Sequence, residues 1–160
     1  MLNKYQTSYL YQLCHINLPS RLKITDTEES KTFTIVDNDC IDEKQCKIVR
    51  TKIIDKNLDN CGILRKALKG DFILSVNQNF IKGDLTAAFI EEDVLVTDNF
   101  VVLTPKENID PNIFMWAFHQ EYVLSQIKPL NIGRKFFQVS IDELSKILIP
   151  THIYYKKKSE

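Results

Sequence analysis

Three side-chain amides stand in a row at Asn77, Gln78 and Asn79, between an apolar run, Phe72-Ile73-Leu74-Ser75, and a Gly83-Asp84 turn. Asn and Gln carry the paired donor and acceptor that match the adenine edge in the DNA major groove. A loop presenting them at a strand exit can therefore read bases. The same residues also serve as solvated turn residues that bond their own backbone, and both readings stand on the sequence. A second set lies at Asn131-Ile132-Gly133-Arg134-Lys135, with Gln138 beyond it. Arg134 has the fork that pairs with guanine, Gln138 is another amide for base edges, and Lys135 is a point charge suited to a phosphate. The alternative is a helix-to-helix connection with ordinary surface charge. Lys66, Lys69 and Lys82 join Lys135 as phosphate-contact candidates by charge alone, each equally readable as solvated surface.

Catalysis leaves no comparable trace. The chain has no Walker loop, no G-x-G-x-x-G, no G-x-S-x-G elbow and no H-E-x-x-H. Cys14 and His15 are neighbours, which in a strand points their side chains apart. Glu91-Glu92-Asp93 offers the clustered carboxylates a metal-dependent nuclease needs, but reads more simply as an exposed turn before Val94. The cysteines, Cys14, Cys40, Cys46 and Cys61, form no C-x-x-C pair, and His15, His119 and His152 are not spaced to complete a zinc site. Reduced thiols in or near a core are expected, with no metal and no catalytic residue. Phe136-Phe137 is expected in the core. Trp116 and His119, one turn apart, point to core packing or an interface.

The elements that must position these residues are mostly short strands. KTFTIV (Lys31 to Val36) alternates Phe33 and Ile35 against Thr, and Lys47 to Ile54 is expected as a strand with Ile48, Arg50, Lys52 and Ile54 on one face. A Gly70-Asp71 turn leads to strands at Phe72 to Ser75, Leu85 to Ile90, Val94 to Thr97 and Phe100 to Leu103. A short helix is expected within Tyr9 to His15. A longer one starts with Asp110 as cap and Pro111 at its first position. Its apolar residues Ile113, Phe114, Ala117, Phe118, Tyr122 and Ile127 keep helical spacing, and Pro129 ends it. Ser140 and Glu143 form a capping box for a brief last helix before a closing strand, Ile147 to Pro150. The fold class expected is α+β: a compact, mixed, mostly antiparallel or barrel-like sheet with a few helices.

Bulk properties bound the partners. A chain of 160 residues is one domain by size, here expected over 1–155 with a charged tail at 156–160. Lys plus Arg and Asp plus Glu stand at 21 each, whereas a free-standing non-specific DNA binder is usually basic. Any DNA-facing surface must then be a local one. The opening MLNKYQTSYLYQL is too polar for a signal-peptide core, and no apolar run reaches membrane-spanning length. A cytoplasmic location without membrane contact is the expectation.

Taken in order, Gly70-Asp71, Thr97-Asp98-Asn99-Phe100, Pro105, Asp110-Pro111, Gly133, Asp142, Leu144 and Ile147 to Pro150 form a set of landmarks. This set resembles the target recognition domain of type I restriction–modification specificity subunits, well over about the last ninety residues and loosely over the first sixty. The chain departs from the family in two ways. The loop after the first strand reads SVNQNFIKG, without an early Gly-Thr or Gly-Ser pair. Only ten residues follow Pro150, with no heptad pattern for a coiled-coil spacer. The resemblance implies a single, non-catalytic domain for sequence-specific recognition of double-stranded DNA. It further implies a DNA adenine methyltransferase subunit and a restriction/translocase subunit as partners. S-adenosylmethionine and ATP would be held by those partners, with no cofactor in this chain. The alternative is a protein-interaction module that docks to a methyltransferase complex without reading DNA itself.

Overall fold

A computed structural model describes residues 6–22, 32–42, 45–55, 64–75, 86–131 and 141–151. The architecture follows from which apolar runs need burial on both faces. FILS and FVVL have no polar alternation, so each strand must be sandwiched. They form β8 (Phe72–Ser75) and β11 (Phe100–Pro105), paired antiparallel with Phe100 opposite Ser75 and Leu103 opposite Phe72. With β2 (Cys14–Ile16) and β9 (Ala87–Phe89) they make a four-stranded sheet in the order β2-β11-β8-β9.

One face of this sheet, carrying Phe72, Leu74, Val101 and Leu103, packs on helices α1 (Leu10–Leu13), α2 (Asn112–Ala117), α3 (Glu121–Ile127) and α4 (Ile141–Ser145). Phe72 anchors that core, stacking on Phe118 at 5.7 Å and meeting Phe89 edge-on at 6.1 Å. Burying one such ring contributes about 1.5–3 kcal/mol. The other face, with Ile73, Phe100 and Val102, meets Val36, Ala67 and Val96 in a second core. These belong to a second sheet, ordered β6-β3-β10-β7, of β6 (Lys52–Asp55), β3 (Thr32–Val36), β10 (Val94–Thr97) and β7 (Leu64–Ala67). The layers are therefore helices, sheet and sheet. Two small ribbons complete the set: β1 (Thr7–Tyr9) with β12 (Leu148–Pro150), and β4 (Ile41–Asp42) with β5 (Lys47–Ile48).

The chain passes between the sheets at the Gly70-Asp71 turn. Gly70 has φ +95, a left-handed conformation that glycine adopts without steric cost. Asp71, 2% exposed, takes two hydrogen bonds from Arg21 (3.1 and 3.3 Å) and one from the Leu68 N–H (2.9 Å). Arg21 lies in a 3-10 helix at Pro19–Leu22 that packs on β7.

The expected α+β class holds, with three corrections. Among the described residues the sheets are open rather than barrel-like; their pairing is mostly antiparallel as expected, with β10 parallel to β3. The strand expected over Lys47 to Ile54 is two. β5 pairs with β4, the chain changes partner across Val49–Thr51, and β6 pairs with β3. Alternation on one face cannot reveal that change of neighbour. The long helix is also two, broken around Phe118–Gln120. Phe118 turns into the Phe72 cluster, while the side chains of His119 and Gln120 bond the Met115 and Trp116 carbonyls (2.8 and 3.3 Å). Those bonds satisfy carbonyls that a helix end would leave open. α2 starts one residue later than expected, with Pro111 at the cap position, and Asp110 just before it accepts from the Asn112 N–H at 3.0 Å. No helix among the described residues is long and apolar enough to cross a membrane.

Candidate nucleic-acid interface

Several strand ends meet at one end of the paired sheets. β3 and β10, being parallel, finish together at Val36 and Thr97, and β7 begins there with Leu64 opposite Thr97. β11 begins at Phe100, opposite Ser75, the last residue of β8. The Asp37 carboxylate ties this rim together. One of its oxygens accepts from the Asn38 N–H (2.8 Å), the Thr97 hydroxyl (3.2 Å) and the Asn99 amide (3.0 Å). Three donors on one carboxylate oxygen fix the β3 exit against the β10–β11 turn.

From this rim leaves the segment 76–85, which carries Asn77, Gln78, Asn79 and Lys82. These residues lie outside the described part, but the base of the segment is inside it. Ser75 N–H donates to the Thr86 carbonyl at 2.8 Å, so the segment starts and returns at one place on a buried scaffold. Ser75 and Thr86 are themselves buried. The described residues thus fix the two ends of the segment, Ser75 and Thr86, at one strand exit; the amide triplet itself lies outside them.

Arg134, Lys135 and Gln138, with Phe136-Phe137, also lie outside the described residues. Their segment is flanked by Asn131 and α4. α4 packs on α1, and α1 runs into β2, whose Cys14 pairs with Pro105 at the far end of β11. Phe100 and Pro105 are about 17 Å apart at some 3.4 Å per strand residue. The described residues do not bring the bases of the two segments together.

Lys66 and Lys69 can be placed. Lys66 is half-buried on β7, on the face of its partner Leu95. Lys69 is exposed in the turn after β7, and its N–H is held by the Asp93 carboxylate at 2.8 Å. That puts it at the other end of β7 from the rim, beside the exposed acidic turn Glu91-Glu92-Asp93, where a phosphate would meet carboxylates. Three other described cations are already paired. Lys52 and Arg50 both meet Asp39 (2.8 and 3.7 Å). The Lys52 hydrogen bond holds the Asp39 carboxyl below its usual range, and the same bond raises the Lys52 ammonium. Arg21 is taken by Asp71.

Sequence reasoning missed Arg65. It stands on β7 opposite Val96, on the face that carries the second core, and its Nε is buried without a hydrogen-bond partner. The Arg65-Lys66 doublet was visible in the sequence only as charge. That β7 is an edge strand, with one cation on each face, required the topology.

The thiols behave as expected of core groups. Cys14, Cys40 and Cys46 are buried and unbridged, and Cys61 lies outside the described residues. Cys46 Sγ sits 3.4 Å from His119 Nε2. His119 Nδ1 donates to the Met115 carbonyl, which leaves Nε2 to accept from the thiol. Burial, and then the Asp42 charge, push the Cys46 thiol up, opposite to what an activated nucleophile needs. Among the described residues no three His, Cys, Asp or Glu side chains gather as metal ligands.

Structural comparison decides the fold. A chain from a type I restriction–modification system, from work on its assembly and conformational transition, superposes over 97% of this chain with a TM-score of 0.74 at 18% identity. The HsdS subunit from Thermoanaerobacter tengcongensis superposes over 97% with a TM-score of 0.73 at 17% identity. The chain has the HsdS target-recognition fold. It spans about two fifths of those chains, 41% and 40% of their lengths. No protein-family model and no curated protein matches the sequence. The HsdS fold extends across the whole described chain, including the first sixty residues that the sequence landmarks matched only loosely.

Proposed function

We propose that this chain reads a double-stranded DNA sequence as the specificity component of a type I restriction–modification assembly, without chemistry of its own. The observation that carries the reading is the HsdS fold over 97% of the chain, supported by the Ser75–Thr86 hydrogen bond that joins the two ends of the amide-bearing segment at a buried strand exit. Lys and Arg side chains set register on phosphates, and the amides with Arg134 read base edges. A DNA adenine methyltransferase subunit and a restriction/translocase subunit are the partners, and they hold the S-adenosylmethionine and ATP.

The test is a fluorescence anisotropy titration on a pool of random-sequence duplexes at low and moderate salt, with sequencing of the retained fraction. An enriched short motif, weakened by Asn77→Ala or Arg134→Ala, is the expected result. No binding at low salt would refute the reading and leave the interaction module, to be pursued by capture of a methyltransferase subunit.

A further inference from the structure

The geometry points to Arg65 as a phosphate anchor: a guanidinium built into the β7 edge that holds one backbone phosphate of the bound duplex. This rests on the DNA-reading proposal for the nature of the ligand, but the anion site itself stands on the free protein.

Arg65 is positioned by the sheet rather than by a loop. It lies across from Val96, which lies beside Val36, so three neighbouring strands place these side chains in a row on the core face. Val36 and Val96 are fully buried there. The arginine stem therefore covers the margin of the core, and its Nε is buried with it. Among the described residues no acceptor meets the guanidinium. The contrast with Arg21 is informative. Both arginines flank the same crossover, but the buried carboxylate of Asp71 is already bonded to Arg21 and to the Leu68 N–H. Arg65 is left half-buried and uncompensated, a costly state for a cation unless an anion arrives. Lys66 follows it with no carboxylate partner among the described residues, and Leu64, just before Arg65, lies at the rim from which segment 76–85 departs. A phosphate fits this site better than a base edge. A neutral base would offer hydrogen bonds but no charge, and the group to be compensated is a cation whose Nε is buried without a partner.

The experiment has two arms on the full chain. In the first, thermal unfolding is followed with inorganic phosphate or sulfate against chloride at matched ionic strength. Wild type should gain stability with the oxyanion. Arg65→Met should be at least as stable as wild type in chloride and should lose that gain. Arg65→Lys, which keeps the charge without the fork, should retain part of it. A wild-type protein indifferent to oxyanions, or an Arg65→Met protein that keeps the gain, overturns the site. In the second arm, duplex binding is measured against salt. Arg65→Met should lower the slope of log K on log salt by about 0.9, one phosphate contact. It should also weaken selected and scrambled duplexes by the same factor. Loss confined to the selected sequence would make Arg65 a base reader and overturn the phosphate assignment. If wild type binds no DNA while the oxyanion effect depends on Arg65, the anion site survives and the DNA-reading proposal fails.

Discussion

The Arg21–Asp71 pair should be a costly link to break, because it holds the crossover between the sheets. The side chains are 15% and 3% exposed, and the pair spans fifty residues of sequence. Asp71→Asn keeps the shape and an oxygen for the Leu68 N–H, but leaves Arg21 buried opposite a neutral amide. Removing one partner of a buried pair costs about 3–5 kcal/mol. The retained amide oxygen puts this variant near 3, against a total stability of about 5–15 kcal/mol. With a urea dependence of about 2 kcal/mol per M, the unfolding midpoint should fall by about 1.5 M. Trp116, the single tryptophan, is half-buried on the helical core and reports the transition. Arg21→Met should cost a similar amount by stranding the Asp71 charge. The double variant should then lose far less than the sum, since apolar or neutral replacement of both partners is often near neutral. A midpoint shift under about 0.5 M for Asp71→Asn, or strict additivity in the double variant, would refute the claim that a buried charge pair pins the crossover.

Three further outcomes are expected. Phe72→Ala, at the centre of the aromatic cluster, should destabilise by about 3–5 kcal/mol, read by the same urea transition. Lys66→Gln should flatten the salt dependence of duplex binding by about one phosphate, while Lys69→Gln, beside the acidic turn, should leave it unchanged; equal effects would show that the acidic turn does not screen that site. Burial, partly offset by Lys106, pushes the Cys14 thiol up to about 12 from a usual 9.0. The unfolded chain then releases this proton first, so the Cys14 contribution is intact below pH 9. It falls between pH 9 and 12 by up to about 1.4 kcal/mol per unit. Cys14→Ala should remove that part of the alkaline slope, and an unchanged slope would count against the burial.

Legibility followed the physics of burial. Phe72 to Ser75 and Phe100 onward could be read because a strand covered on both faces must be apolar throughout, and few other structures tolerate that run between Gly-Asp and Asp-Asn turns. The helix start beside Asp110 and the closing strand at Leu148–Pro150 were legible for local reasons. The division of Lys47 to Ile54 into β5 and β6 was not, because both halves keep the same alternation and only a change of partner separates them. The helix break at Phe118 had no Gly or Pro to mark it; the aromatic core around Phe72 caused it. Cys46 and His119, seventy-three residues apart, meet only through the fold.

The balance of charge carries the same lesson further. With 21 cations and 21 acids, the charge count by itself argues against a broad nucleic-acid face and leaves room only for a local one. The fold redistributes that balance without changing it. Asp39 is spent on Arg50 and Lys52, Asp71 on Arg21, and Asp142 on Lys146. The acids of the turn at Glu91 to Asp93 gather beside Lys69. Among the described residues that leaves Arg65 and Lys66 on β7 without a carboxylate partner, next in the strand to Leu64 at the rim. Under the proposed function, a specificity component that must join a larger assembly and release wrong sequences would gain from this arrangement. Its non-specific attraction to DNA stays weak because the whole is neutral. On that proposal its few open cations would act only when a backbone lies in the register that also brings bases to Asn77, Gln78 and Asn79.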